Sequence, residues 1–424
     1  MNTRFCLLAA LAACSAFCAD NALKAELKDP DLAAHWIYDD LAKATSEAQA
    51  SGKPLLVELR CVPCPAGKKL DEQVSQTPDS TLEALEKEFV CVRVIKTLGL
   101  DLKKFQCDMD QSISFFFLNT DGTIYGRYGT RADGGAHSDD YISKASFEKS
   151  LSRALALHKG YPANKAGLEG KMAKHADYAV PEAIPGLADR AGVPVVRRNC
   201  IRCHIVRDNT LQAQWSEKKL TLNDLYGYPL PDAVGMTMNV DDGLTVKAIA
   251  PNSPAAKAGL AVGDELVSLG GQTVISQADI QWVLVNSPEV SSVPVSVRRA
   301  GQTVDATLAL SGNWREKDFA WRSNFMFRRG FKLKPLTADE KKKANIPEDR
   351  MALSVVLLAG DPQKALAKSG LQRGDIVIGI DDKTHDMAEW QAIIQMRMNH
   401  GPNEPFKLTF MHGAEKKEAL VTLW

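Results

Sequence analysis

The sequence predicts an α/β domain, then a small mostly helical segment, then two copies of a smaller strand-rich domain. Three observations predict this. Short apolar runs alternate with helical patterns over the first third of the chain. Cys200-Ile201-Arg202-Cys203-His204 stands alone in the middle. Ala256-Lys257-Ala258-Gly259-Leu260-Ala261-Val262-Gly263-Asp264 recurs as Ala367-Lys368-Ser369-Gly370-Leu371-Gln372-Arg373-Gly374-Asp375, 111 residues on. That offset is too long for a solenoid repeat and reads as a duplicated domain.

The 424 residues suffice for about three domains. Apolar content of 45% and charged content of 25% fit ordinary globular protein rather than disorder. The formal net charge is zero, which gives no support to nucleic acid or an acidic membrane surface as a partner. Beyond the N-terminus no apolar run is long enough to span a bilayer.

Residues 1–19 read as a targeting segment. Arg4 supplies the basic region and Phe5 to Ala13 the apolar one. Leu11-Ala12-Ala13-Cys14 resembles a lipoprotein signal that would leave Cys14 lipidated; cleavage around Ala16 to Ala19 is the alternative. Either way the expectation is an exported protein, periplasmic or anchored at the membrane surface.

Residues 20–158 form the first expected domain. Asp31 to Ala50 reads as an amphipathic helix carrying Leu32, Trp36, Leu41 and Ala42 on one side, with Gly52 just past its end. Lys53 to Leu59 is an apolar strand. Cys61-Val62-Pro63-Cys64 follows it, and a helix to about Val74 follows that, with Leu70 and Val74 four apart. Phe89 to Ile95 and Ile113 to Leu118 are further strands. Asn119-Thr120-Asp121-Gly122 is a hairpin turn into Thr123 to Tyr128. Lys144 to His158 is the closing helix.

A C-x-x-C between strand and helix would put its first sulfur at a helix N-terminus, where thiolate is favoured. The reading is reversible dithiol chemistry, with Cys61 the exposed nucleophile and Cys64 the resolving thiol. The bland alternatives are a structural disulfide or half of a metal site. Cys91 and Cys107 are read either as a structural disulfide or as two separate buried thiols.

In residues 159–230, C-x-x-C-H is the attachment signature of c-type haem: Cys200 and Cys203 for the vinyl groups, His204 for the iron. The alternative is a second dithiol beside a chance histidine. No Met or His lies between His204 and residue 230, so the sixth position is read either as open or weakly held, or as taken by His175 upstream.

In residues 231–312 and 327–424, each copy of the repeat turns through Gly-Asp into an apolar strand, Glu265 to Leu269 and Ile376 to Ile380. A helix follows each, Gln277 to Val285 and Met387 to Met398. Upstream lie Val234-Gly235-Met236-Thr237-Met238 and Arg329-Gly330-Phe331-Lys332-Leu333. Trp314, Trp321 and Arg322 fall in the linker 313–326 and read as packing residues.

The β-α-β then β-β-α order with its C-x-x-C resembles a thioredoxin-like domain. Such domains usually carry a cis-proline facing the C-x-x-C; Ile113 occupies that position here. The tandem elements, with Ser253-Pro254-Ala255 in the first copy, resemble the PDZ domains of exported bacterial serine proteases, which are partly open β-barrels. That resemblance implies that Gly235 with Met236, and Gly330 with Phe331, line loops offering N–H groups to a peptide C-terminal carboxylate. In the second copy Arg329 precedes the glycine and Asp361-Pro362-Gln363 replaces Ser-Pro-Ala, so packing without peptide binding is weighed equally there. No Ser-His-Asp motif accompanies the copies.

The whole order is similar to a bacterial group of exported thioredoxin-like proteins with C-terminal PDZ domains, some of them selenoproteins. The leading expectation is an exported thiol–disulfide redox protein that docks a peptide or protein partner, with haem as an electron relay. Its partners would be a peptide C-terminus and a protein thiol or disulfide. The alternatives are a non-enzymatic electron-transfer or scaffold protein with a static Cys61–Cys64 disulfide, and a haem-based sensor.

Overall fold

The structure, a computed structural model, describes residues 23–130, 140–193, 196, 200–201, 203–316, 330–359 and 369–422. The targeting segment with Cys14, the linker residues Trp321 and Arg322, Arg329, and 361–368 of the second copy lie outside the described residues. The chain divides into two units: residues up to Val206 with Gly227–Lys317, and Arg207–Tyr226 with Asp318–Trp424.

The first unit begins with a five-stranded mixed sheet. Its strands are β1 (Trp36–Tyr38), β2 (Leu55–Arg60), β3 (Val90–Val94), β4 (Ile113–Leu118) and β5 (Ile124–Tyr128), in the order β1-β3-β2-β4-β5. β1 was expected to be helical. The Asp40 side chain accepts the Lys43 N–H at 2.8 Å, so helix α1 starts only at Leu41 and runs to Ser51. The Trp-Ile-Tyr triplet ahead of it pairs parallel with Cys91–Arg93.

Alternation on the strands builds two cores. Phe115 and Phe117 join Leu56, Cys91 and Phe147 on one face; Phe116 joins Val57, Val92, Ala44 and Ala48 on the other. Helices α2 (Lys68–Asp71), α3 (Ser80–Glu86) and α4 (Lys144–Lys159) complete this part. Cys91 and Cys107 stand in opposite cores as separate buried thiols. Short 3-10 turns at Lys165–Lys171, Pro181–Ala183 and Pro185–Arg190 then lead to helix α5 (Cys203–Ser216).

The segment 159–230 does not stand as a domain of its own. Its first part, with Ile184, Leu187, Ile201 and Val206, packs with Leu102 of the first unit. The rest of α5 and helix α6 (Leu222–Tyr226) belong to the second unit. There Leu211, Trp215 and Leu225 join that unit's core, and the Trp215 indole donates to the His400 carbonyl at 2.8 Å.

The first repeat copy holds β6 (Met236–Met238), β7 (Val246–Ile249), helix α7 (Pro254–Lys257), β8 (Glu265–Leu269), β9 (Gln272–Thr273), helix α8 (Gln277–Val285), β10 (Ser291–Arg299) and β11 (Gln302–Leu310). Its strands form one four-stranded and one two-stranded open sheet, so the expected barrel is not closed among the described residues. Trp314 is buried in this core. The second unit carries one antiparallel five-stranded sheet of β12 (Gly330–Pro335), β13 (Leu353–Ala359), β14 (Ile376–Ile380), β15 (Pro405–His412) and β16 (Glu415–Thr422). Helices α9 (Ala338–Lys343) and α10 (Glu389–Asn399) accompany it.

Helix α8 is buried along its length from Gln277 to Leu284 because β5 covers its outer side. Gly126 on β5 permits the approach: a Cβ there would fall 2.3 Å from Ile275. Asp279 accepts the Arg127 N–H at 3.1 Å, the Ile275 N–H at 3.0 Å and the Lys171 ammonium at 2.6 Å. The Arg127 guanidinium lies 3.9 Å over the Trp282 ring, and the Trp282 indole donates to the Gly170 carbonyl at 2.8 Å.

Candidate functional site

β2, the central strand, delivers Arg60 and then Cys61 at its C-terminal end. The Cys61 N–H donates to the Ser112 carbonyl at 2.8 Å, and the Cys64 N–H to the Cys61 carbonyl at 3.0 Å. That turn closes a Cys61–Cys64 disulfide, with Cα atoms 5.5 Å apart. Helix α2 begins only at Lys68, so neither sulfur sits in its first turn as the spacing predicted. The exposure order is also the reverse of expectation. Cys61 is 6% exposed, while Cys64 is half-buried.

Positive charge reaches the loop from Arg60 instead. Its guanidinium, itself buried, donates to the carbonyls of Cys61 at 2.8 Å and Ser112 at 2.9 Å, and to Asp71 at 2.9 Å. Behind it Arg93 binds Asp29 and Glu58, each at 2.9 Å, and also Asp71. The Ser75 hydroxyl donates to Glu58. This network sets the carboxyls of Asp29, Glu58 and Asp71 against the guanidiniums of Arg60 and Arg93, one negative charge in surplus. Burial, opposed by Arg93, pushes Glu58 up to about 7, so a bound proton removes the surplus. Burial also raises Asp29.

Sequence reading assigned no role to these groups. The available signal was a charge inside each of two apolar strands: Glu58 and Arg93 pair directly across β2 and β3. Ile113 pairs with Arg60 and walls the loop opposite Gly67. A Cβ on Gly67, whose φ is +73°, would lie 2.5 Å from the Ile113 Cγ2.

The second cysteine pair lies beside the first. β2 and β3 run parallel, so Cys61 and the segment after β3 leave the same end of the sheet. There the Thr97 hydroxyl donates to the Ile201 carbonyl at 2.8 Å. Cys200 and Cys203 are both buried thiols, 8% and 9% exposed, and share one cavity with Cys61. Burial pushes the Cys203 thiol up to about 11. His204 is half-buried on the first turn of α5.

The cavity measures about 10 Å³, space for roughly one water. That cavity is much smaller than a haem. His175, the candidate sixth ligand, has an 80% exposed side chain beside Asp177. No group of three or more metal-ligating side chains occurs among the described residues.

In the first repeat copy Gly235 and Met236 are buried. The Gly235 N–H donates to the Asp232 carbonyl at 3.0 Å, and Met236 is a core residue. In the second, Gly330 and Phe331 open β12, opposite Ala359 and Leu358. Both copies wire the Gly-Asp turn alike. Gly263 and Gly374 donate to the carbonyls of Val246 and Val355, at 2.9 and 2.8 Å. Asp264 and Asp375 accept the N–H groups of Ala261 and Gln372, at 2.8 and 2.7 Å.

A family model described as thioredoxin-like matches residues 36–119, and one described as a PDZ domain matches residues 233–310. Among curated proteins, a probable periplasmic serine endoprotease DegP-like from Marinomonas sp. (strain MWYL1) is 28% identical over 144 residues, 34% of this chain and 29% of that protein. The serine endoprotease DegS of Haemophilus influenzae is 31% identical over 70 residues, 16% of this chain and 21% of that one. The periplasmic serine endoprotease DegP of Salmonella typhimurium is 24% identical over 201 residues, 46% and 39% of the two chains. This chain thus spans 21% to 39% of the length of these relatives. The solved HtrA3 PDZ domain bound to a phage-derived ligand is 31% identical and covers 16% of this chain and 62% of its own, with a TM-score of 0.14. The chain therefore carries a thioredoxin-like domain and a PDZ domain on one polypeptide.

Proposed function

We propose that this is an exported thiol–disulfide redox protein whose PDZ domain docks a peptide or protein partner. The observation that carries the reading is the Cys61–Cys64 pair at the end of β2, with Cys64 half-buried and the carbonyls of both cysteines held by Arg60. An outside thiolate attacks Cys64, the sulfur with the greater access, and Cys61 leaves. The Arg60 charge beside the loop favours the departing thiolate. Export is supported by the periplasmic relatives. No helix among the described residues is long and apolar enough to cross a membrane.

The test is disulfide reduction by the full chain against Cys61→Ser. Equal rates would end the redox claim. The second reading is a scaffold with a static disulfide; the 6% exposure of Cys61 favours it, and persistence of Cys61–Cys64 under mild reductant would establish it.

Residues 330–422 are proposed as a second PDZ-like copy, supported by the shared Gly-Asp wiring. Peptide docking at Gly235 and Met236, or at Gly330 and Phe331, is tested by fluorescence anisotropy with a labelled C-terminal peptide. Covalent haem on Cys200 and Cys203, with His204 on the iron, is tested by an absorption spectrum of protein made with haem-attachment machinery. No step of the proposed function runs through it.

A further inference from the structure

We infer that Cys200 and Cys203 form a second redox dithiol that exchanges electrons directly with the Cys61–Cys64 disulfide through their shared cavity. The inference rests on the reversible opening of Cys61–Cys64 proposed above.

Three features of the geometry carry it. The cavity is lined by Leu59, Cys61, Val94, Thr97, Cys200 and Cys203 among others, but not by Cys64. Cys61 thus lines the cavity it shares with the second pair, while Cys64 lies outside that lining and is the more exposed of the two. The alignment is also fixed rather than incidental. Thr97 fastens the Ile201 carbonyl, and Ile201 packs with Leu102, Ile184, Leu187 and Val206. Finally, both pairs have the C-x-x-C spacing that lets a pair close its own disulfide, as Cys61–Cys64 does, which is what an exchange between them needs.

The exchange balances without an outside reagent. One thiol of the second pair attacks the Cys61 sulfur. A bond forms from it to Cys61, the Cys61–Cys64 bond breaks, and its proton passes to the departing Cys64. The neighbouring thiol then attacks the new bond, closing Cys200–Cys203 and returning Cys61 as a thiol. Two electrons and two protons have moved from the inner pair to the outer one. The reverse sequence refills the inner pair when an outside dithiol reduces Cys64.

The surroundings explain the order of access. Cys200 and Cys203 are 8% and 9% exposed, so a reagent the size of glutathione meets Cys64 first. Cys107 is 7% exposed and within electrostatic reach of Cys203, so it is the competing partner the test must separate.

The experiment uses the fully reduced full-length chain, oxidised glutathione as the probe, and alkylation with peptide mass mapping at timed intervals. Wild type is expected to form Cys61–Cys64 and then Cys200–Cys203. Cys61→Ser is expected to slow Cys200–Cys203 formation at least tenfold. The double variants Cys64→Ser with Cys203→Ser and Cys64→Ser with Cys200→Ser lack the thiol that would resolve the mixed disulfide, and at least one is expected to trap a crosslink between Cys61 and the remaining inner cysteine. Near-ultraviolet circular dichroism checks each variant's fold. If Cys61→Ser unfolds, the crosslink in these double variants decides alone, and its absence from both would overturn the relay. Equal oxidation rates in wild type and Cys61→Ser, a Cys107–Cys203 crosslink in place of Cys200–Cys203, or haem thioethers on Cys200 and Cys203 would each overturn the relay. Reduction of outside disulfides that persists alongside such a result leaves the redox function standing and removes only the relay.

Discussion

Replacing Asp279 with alanine is expected to weaken the first unit more than any other single change to α8. Asp279 and Lys171 form an ion pair whose side chains are 2% and 0% exposed. Truncation leaves the Lys171 ammonium unneutralised in the interior. Breaking such a pair costs about 3–5 kcal/mol. The Arg127 and Ile275 N–H groups lose their acceptor as well. Burial already lowers the Lys171 pKa, and Asp279 is the main influence holding it up. Without Asp279 the lysine sheds its proton more readily, so the penalty should shrink as pH rises from neutral toward 9. The assay is urea unfolding followed by tryptophan fluorescence, to which Trp282 in the same contact contributes. A loss below about 1 kcal/mol at pH 7 would refute the reasoning, because an unpaired buried ammonium cannot be that cheap. The double variant Lys171→Met with Asp279→Ala should cost less than the sum of its parts. Strict additivity would show that the two groups do not depend on each other.

Glu58 should make stability fall as pH rises. Its folded pKa, pushed up to about 7, exceeds the ordinary 4.5, so its contribution is complete below 4.5 and lost on passing 7. Glu58→Gln should flatten that slope in unfolding curves at pH 4.5 and 7.5; an unchanged slope would clear Glu58 of the effect. Gly67→Ala forces a left-handed alanine against Ile113 and should cost at least about 1–2 kcal/mol in thermal or urea unfolding. Arg60→Ala should remove the charge that favours the departing Cys61 thiolate and slow reduction of the Cys61–Cys64 disulfide by small thiols, read by alkylation; an unaltered rate would show that the guanidinium does not assist the leaving sulfur.

Much of this architecture was legible locally. Ile113–Leu118 and Gln277–Val285 fall where their apolar runs place them, because each run is strong and bounded by turn or cap residues. The first strand was not legible. Trp36–Tyr38 is amphipathic by helical count, and only its pairing with β3 and the Asp40 cap exclude a helix. The cysteine pair was found, but not which sulfur faces inward, since that depends on Cys200 and Thr97 far along the chain. The burial of α8 was hidden for the same reason. Gln277, Asp279 and Gln281 look like a solvated face, and Asp279 finds its cation 108 residues away.

That last pairing bears on where the chain can be cut. The two family matches end at residue 119 and begin again at residue 233, so Lys171 belongs to neither. A fragment trimmed to 233–310 would carry a carboxylate stripped of its counterion on a helix stripped of its cover. The strap between the two matched regions is thus a shared part of both, and dividing the protein there would damage each piece.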